Sequence, residues 1–316
     1  MKAAIVSSAG QAPVYADFPA PEPAAGEALI RVSAAALSPV VRARAAGTHY
    51  SATSQFPFIP GIDGTGRLED GQRVFFFGPR PPYGSMAEEV AIPTGQVIPL
   101  PDELDDAFAA ALANPGASSW AAYRLRARLQ PGETVLVNGA TGTAGRLAVQ
   151  IARHLGAGKI IATGRNAAAL QALEADETVL FCADTPMPEE QLLSIFGAGV
   201  DVVLDYLWGR TAEQLLIAGA RAGVEGVPIR FVQIGSIGGA DITLPSAVLR
   251  SSSITLMGSG LGGVSLDQLT LCLREMLQAA APARLAIATR TMPLSALDQA
   301  WSAPDEGKRL VFTLPG

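Results

Sequence analysis

Two textures of apolar patterning divide the chain. Up to about residue 112 the apolar residues fall in short β-type runs, "KAAIV", "EALIRVSAAAL", "QRVFFFG" and "AEEVAIP", parted by Pro- and Gly-rich turns such as "PAPEPAAGE" and "RPPYGS". Such runs, bounded by turn residues, predict the strands of a compact, irregular β domain. From "DDAFAAALANPGASSWAAYRLRARL" onward, helix-length apolar patterns alternate with "TVLVNG", "KIIATG", "ETVLF", "DVVLDY", "IRFVQIG" and "ITLMGSG". That alternation predicts βαβ units and a parallel, doubly wound α/β sheet. The tail from "ARLAIATRTMP" to "RLVFTLPG" returns to the first texture, so both ends of the chain are expected to build one domain.

Composition narrows the function classes. A length of 316 residues suits two domains, each with its own core. The net charge is −6 and no dense block of Lys or Arg occurs, so no footprint for a polyanion exists and nucleic acid is excluded as an expected partner. Cys182 and Cys272 lie far apart, without a CxxC motif, in a chain with only two histidines. Neither a zinc cluster nor a disulfide framework follows from them, and a reducing cytoplasm is the expected location. The start "MKAAIVSS" falls short of a signal peptide, and no apolar stretch reaches bilayer length, so no membrane partner is expected.

The candidate chemistry centres on "VLVNGATGTAGRLAVQIARHLGAGKIIATGRN". An apolar strand runs into Gly139, Gly142 and Gly145 and then into an amphipathic helix. In a dinucleotide site one glycine permits the tight turn, one lets the backbone approach the pyrophosphate, and Gly145 allows helix to pack closely on strand. The phosphates would sit on free N–H groups at the positive end of the helix dipole, along Gly139, Ala140, Thr141, Gly142, Thr143, Ala144 and Gly145. Because Ala140 replaces the first glycine the motif reads AxGxxG, and its strength comes from the strand before, the helix after and the second strand "KIIATG". The blander alternative is an ordinary α/β turn without a ligand.

About 20 residues beyond the turn, where an NAD site carries an acidic residue for the ribose, stand Gly164, Arg165 and Asn166. Arg165 can bond a 2′-phosphate that an acidic group would repel, so NADP(H) is the expected cofactor. A solvent-facing arginine at a strand end is the alternative. Ligands of open α/β sheets bind beyond the carboxyl ends of the strands. The loops "DYLWG", "IGSIGG" and "MGSGLGG" therefore nominate Leu207, Gly235, Ser236, Gly258 and Ser259, with Trp208 either stacking on a ligand or filling core.

The ordered set "FPFIPGIDGTGRLEDGQRV", "LQPGETVLVNGATGTAGRLAVQIARHLGA" and "PLSALDQAW" with "GKRLVF" resembles the medium-chain dehydrogenase/reductase superfamily, in particular its zinc-free quinone oxidoreductases, over essentially the whole chain. The resemblance implies a GroES-like β-barrel domain from residues 1–112 and 283–316 and a Rossmann domain from residues 113–282, with the active site in the cleft between them. It also implies a homodimer formed through the last sheet strand, "SITLMGSG". Zinc-dependent members carry Gly-His-Glu where this chain has Gly61, Ile62 and Asp63, and where they place a ligand cysteine "AAALSPVVRAR" offers Ser38. No catalytic metal is therefore expected. Tyr50 matches a tyrosine that zinc-free relatives place at the cleft, His49 beside it titrates near neutral pH, and Tyr83 is a further aromatic. Ser38 and Tyr83 are candidate substrate contacts, and Tyr50 and His49 candidate proton donors. Relatives often show an Asn-x-x-Asp pair where this chain has Ser38 and Val41. "ALANPGASSWAAY" matches the family's segment beside the nicotinamide, which nominates Asn114 and Ser118.

Hydride delivered to a simple ketone builds a full alkoxide, which a metal would stabilise. Delivery to a quinone or an enone spreads the charge by conjugation, and hydrogen-bond donors then suffice. The expected activity is reduction of a quinone or α,β-unsaturated carbonyl by NADPH. A non-catalytic NADPH-binding regulator or structural protein is the alternative. A short-chain dehydrogenase is disfavoured because no tyrosine has a lysine four positions on, and a methyltransferase because Arg165 stands where an acidic residue belongs.

Overall fold

The structure, a computed structural model, describes residues 1–49, 51–182, 185–260, 262–304 and 307–315. The chain begins with β1 (Lys2–Ile5), β2 (Val14–Asp17), β3 (Glu27–Ala36), α1 (Pro39–Ala45), β4 (Asp63–Arg67), β5 (Arg73–Phe77), β6 (Glu89–Pro93) and β7 (Val97–Pro99). After α2 (Asp106–Ala121), strands and helices alternate: β8 (Thr134–Asn138), α3 (Thr143–His154), β9 (Lys159–Gly164), α4 (Ala167–Gln171), β10 (Glu177–Leu180), α5 (Glu189–Gly197), β11 (Val202–Asp205) and α6 (Gly209–Ala222). The alternation continues through β12 (Ile229–Gln233), α7 (Ser246–Arg250), β13 (Ile254–Gly258) and α8 (Leu266–Ala279), and β14 (Thr289–Pro293), α9 (Leu297–Ala300) and β15 (Arg309–Thr313) complete the chain.

Two compact units result. One comprises Met1–Asn114, Leu273–Pro282 and Ala286–Gly316, and the other Pro115–Cys272 and Ala283–Leu285. In the first, a seven-stranded sheet runs β14-β15-β3-β4-β5-β7, with β6 also pairing β3, and β1 and β2 form a separate hairpin. Its pairings are antiparallel except β14 with β15. Its core gathers Ile30, Val32, Phe76, Met86 and Val90 with Leu310 and Phe312, so both ends of the chain share one apolar interior.

In the second unit every pairing is parallel, in the order β10-β9-β8-β11-β12-β13. That is the doubly wound Rossmann arrangement, whose switch point lies where the order reverses, between β8 and β11. The apolar runs predicted for its strands are buried as continuous stretches. Val135, Leu136 and Val137 of β8 and Ile160, Ile161 and Ala162 of β9 are all 0% exposed, as helices covering both faces of a parallel sheet require.

Candidate functional site at the glycine turn

The turn after β8 is built by backbone necessity. Gly139 adopts φ +86°, and a Cβ there would lie 2.9 Å from the side chain of Leu207. At Gly145 a Cβ would meet the carbonyl oxygen of Gly139 at 2.3 Å, so helix α3 sits on the turn at a distance only glycine allows. Gly142 differs, because the nearest atom to its missing Cβ is the Gly139 oxygen at 3.6 Å. It is exposed and precedes α3 with no side chain capping the helix.

The turn spends some amides internally. Gly139 N–H donates to Thr163 Oγ1 (3.2 Å) and Ala140 N–H to the Thr163 carbonyl (2.9 Å), and Ala140 is fully buried. Gly142 N–H donates to the Gly139 carbonyl at 3.2 Å. The amides of Thr143 and Ala144, in the first turn of α3, have no acceptor among the described residues. An uncapped helix start carries partial positive charge and unsatisfied donors, which is what a pyrophosphate needs. The exposed, side-chain-free approach at Gly142 fits that group.

The end of β9 is pressed against the same turn. A Cβ on Gly164 would lie 2.6 Å from the Thr141 methyl group. Arg165 follows, exposed. Arg146 of α3 reaches back to the turn, its Nε donating to the Thr141 carbonyl at 3.0 Å. Neither Arg146 nor Arg165 meets a carboxylate among the described residues. Asn166 is partly committed to structure, since its side-chain oxygen accepts from Ala169 N–H (2.9 Å) to cap α4. Sequence reasoning missed Arg146, although its place beside Gly145 on an exposed helix start was the available signal.

A buried polar network sets these loops in place. Asn138, Thr163 and Asp205 are all 0% exposed. Thr163 Oγ1 donates to Asn138 Oδ1 (2.7 Å), while Asn138 Nδ2 donates to Asp205 Oδ1 (2.8 Å) and to Thr211 Oγ1 (3.0 Å). Asp205 in turn accepts the N–H groups of Leu207 (3.0 Å) and Trp208 (3.1 Å). Burial pushes the Asp205 carboxyl up, and these donors oppose the shift. They also hold Trp208 at φ 60°, ψ −156°, a conformation costing a bulky residue about 1–3 kcal/mol. The loop after β12 locks onto the same turn, with Gly238 N–H donating to the Leu207 carbonyl at 2.7 Å and Gly235 N–H to the Asp205 carbonyl at 3.2 Å.

Of the later candidates, Ser236, Gly258 and Trp208 line one cavity of ≈ 440 Å³ beyond β12 and β13. Leu207 covers Gly139, Gly235 packs on Tyr206, and Ser259 N–H donates to the Gln233 carbonyl at 2.8 Å, so these three shape loops. Asn114 and Ser118 are half-buried within α2, which runs through Pro115. Ser119 makes the hydrogen bonds. Fully buried, it meets Tyr206 Oη at 2.7 Å and donates to the Pro115 carbonyl at 3.1 Å. Pro115, Ser119 and Tyr123 recur every four residues on one helix face, a periodicity that could have singled out Ser119.

In the first unit Ser38 is buried, and its Oγ accepts from Val41 N–H (3.3 Å) to cap α1. Asp63 is buried too, and burial raises its carboxyl to about 7 while Arg309 pulls it down. Ser51 N–H donates to His49 Nδ1 at 3.2 Å, and burial and the Arg44 charge lower the His49 pKa. Neutral imidazole is thus the form favoured near pH 7. Tyr83 packs edge-on against Phe18 at 6.0 Å. Tyr50 lies outside the described residues. Among the described residues no three His, Cys, Asp or Glu side chains form a group able to hold a metal ion, and no helix is long and apolar enough to cross a membrane.

Comparison with known proteins agrees with this construction. The zinc-binding dehydrogenase family matches residues 144–280. A protein of Emericella nidulans named as a probable NADPH-dependent quinone reductase is 30% identical over 99% of this chain and 99% of its own length. Among solved structures, the quinone oxidoreductase of Thermus thermophilus, described with its NADPH complex, is 28% identical with a TM-score of 0.82, covering 99% of this chain and 100% of that one. The structure of AibC shares the fold, with a TM-score of 0.87 at 23% identity, over 100% of this chain and 96% of that one. Fold and site define a Rossmann-type α/β protein whose second sheet belongs to a separate unit. The chain belongs to the quinone oxidoreductase-like branch of the medium-chain dehydrogenase/reductase superfamily.

Proposed function

We propose that the chain is an NADPH-dependent oxidoreductase that reduces a quinone or an α,β-unsaturated carbonyl without a metal ion. The observation that carries this reading is the uncapped start of α3, with Arg146 bonded to the turn and Arg165 following β9 where an NAD site would need a carboxylate. The amides of Thr143 and Ala144 hold the pyrophosphate, and the two arginines take the 2′-phosphate through charge-assisted contacts. The names of the Emericella and Thermus relatives support the same cofactor and acceptor class.

When bound, the cofactor supplies a hydride. Ile62 and Ser38 stand where zinc ligands would be needed, so charge arising on the acceptor must be spread by its own conjugation and met by hydrogen-bond donors. Tyr50 and His49 are the proposed proton donors and Tyr83 a contact of the acceptor's apolar body. A neutral His49 gives up its proton less readily than an imidazolium, which shifts the weight toward Tyr50. The unpaired outer strand β13 is the proposed homodimer edge, since an open apolar edge invites strand addition. A monomer in sedimentation at micromolar concentration would contradict it.

The test is NADPH oxidation followed at the nicotinamide absorbance with quinones, enones and simple ketones, with and without a chelator. Chelator-insensitive turnover of conjugated acceptors, with ketones inert, is the expected result. If NADPH binds but no acceptor oxidises it, the protein is a cofactor-gated binding partner instead.

A further inference from the structure

The first unit contains a narrow pocket walled by Pro60, Pro81, Pro82 and Tyr83 and lined also by Arg44 and Thr53. It encloses ≈ 380 Å³ including its open mouth, while its inner part, ≈ 20 Å³, has room for a water-sized group. Proline walls are rigid and offer no N–H donors. Against them stands a full positive charge.

That charge has no counterion among the described residues. Burial pushes the Arg44 guanidinium below its ordinary value, and no carboxylate among the described residues offsets the effect. The neighbouring titratable group, His49, is kept from its charged form by burial and by the Arg44 charge. The acids nearby in sequence are engaged elsewhere: Asp63 with Arg309 and Glu27 with Arg80 at 2.5 Å. A second polar group lies behind the pocket wall. Ser85 is fully buried, and its Oγ has no hydrogen-bond partner among the described residues. Gly61, a pocket-lining residue at φ +106°, lacks a Cβ that would lie 2.2 Å from that Oγ. The hydroxyl thus points at bare backbone on the pocket wall.

We propose that this pocket binds a carboxylate through the guanidinium of Arg44, which narrows the acceptors to conjugated carbonyl compounds that carry an acid group. The proposal rests on the acceptor class given above and deepens it. A planar guanidinium matches a carboxylate with two parallel bonds. A partly buried cation without a partner is costly, and a ligand's anion offsets that cost on binding. Between apolar walls the pair is less screened than in water. The inner volume suits one carboxylate oxygen, and the prolines suit a flat apolar body.

The experiment compares para-carboxybenzylideneacetone with its methyl ester as acceptors for wild type, Arg44→Leu and Arg44→Lys. Wild type should favour the acid in kcat/KM by roughly ten- to a hundredfold, the range of one charge-assisted hydrogen bond, expressed in KM. The acid-to-ester ratio should collapse to about one in Arg44→Leu and stay intermediate in Arg44→Lys, which keeps charge but loses the fork. NADPH affinity, read in parallel, reports whether each variant is folded. Equal use of acid and ester by wild type, or a preference that survives Arg44→Leu, overturns the proposal. Calorimetric binding of the acid and the ester to the cofactor-free protein separates the two readings. Acid-selective binding that is lost in Arg44→Leu supports the pocket even if no acceptor is reduced. Turnover of neutral acceptors without acid binding leaves the reductase reading intact and removes the carboxylate site.

Discussion

Asp63 occupies the third position of the triplet that in zinc-dependent relatives carries a glutamate, and it is 5% exposed. Burial raises its carboxyl from 3.8 to about 7 against the pull of Arg309. A carboxyl with a higher pKa folded than unfolded binds more protons in the native state, so its stabilising contribution is complete below pH 3.8 and is lost as pH climbs through about 7. Each pH unit inside that window is worth about 1.4 kcal/mol, so between pH 5 and pH 8 the wild type should lose about 2–3 kcal/mol through this one group. Asp63→Asn keeps the shape and removes the titration. Arg309 sees a neutral partner both in the variant and in protonated wild type, so its own desolvation cancels in the comparison. The variant should exceed wild type by about 1.5 kcal/mol at pH 5 and by about 4 kcal/mol at pH 8, so that the gap widens by about 2–3 kcal/mol between them. Urea denaturation followed by far-ultraviolet circular dichroism at both pH values measures this. A difference between the two proteins that stays constant with pH would show that Asp63 does not titrate in this window. A variant that is less stable at pH 8 would mean that Arg309 outweighs burial.

Arg165→Ala should weaken NADPH binding by roughly ten- to a hundredfold while leaving NADH within about twofold, and Arg146→Ala should act in the same direction; titrations of cofactor fluorescence give both. Gly142→Ala should keep the melting temperature, because the new methyl meets only the Gly139 oxygen at an ordinary 3.6 Å, yet weaken cofactor binding at the helix start. Gly145→Ala forces a methyl against backbone atoms at 2.3 Å and 2.7 Å, and calorimetry should show a destabilisation of about 1–3 kcal/mol or more. Asn138→Ala should cost about 2–4 kcal/mol in denaturant, because it removes a buried donor to Asp205 Oδ1 and the acceptor of the Thr163 hydroxyl.

The parallel sheet was legible because its strands are buried on both faces and therefore read as unbroken β-branched runs, while its glycine turn has steric reasons local in sequence. The first unit was harder. Strand β4, "DGTGR", carries two glycines and no apolar side chain, yet it pairs with β3 and β5. A Cβ on Gly66 would lie 2.3 Å from the Arg31 carbonyl, so these glycines mark close backbone approach, which only the partner strand reveals. Within the candidate site, Arg165 was readable from its distance along the chain. Arg146, Ser119 and the Asn138–Asp205 network depend on which residues three separate strand ends bring together, and no single stretch of sequence carries that information. Trp208 was ambiguous for the same reason, since its unusual backbone is imposed by a carboxylate three residues earlier.

The sharing of one sheet by the two ends of the chain has a consequence for biosynthesis. All six strands of the parallel sheet have been synthesised once Gly258 is added, and they leave the ribosome ahead of β14 and β15, so that unit can fold while translation continues. Strand β3 must wait for β15, to which it pairs through Ala34 and Thr313, and closing so long a loop carries an entropic cost that local strand pairs do not. Until then the β3 edge lacks that neighbour, and the nascent chain presents an open strand beside an already folded domain. Release of β15 therefore sets the earliest moment at which the first unit can complete its sheet.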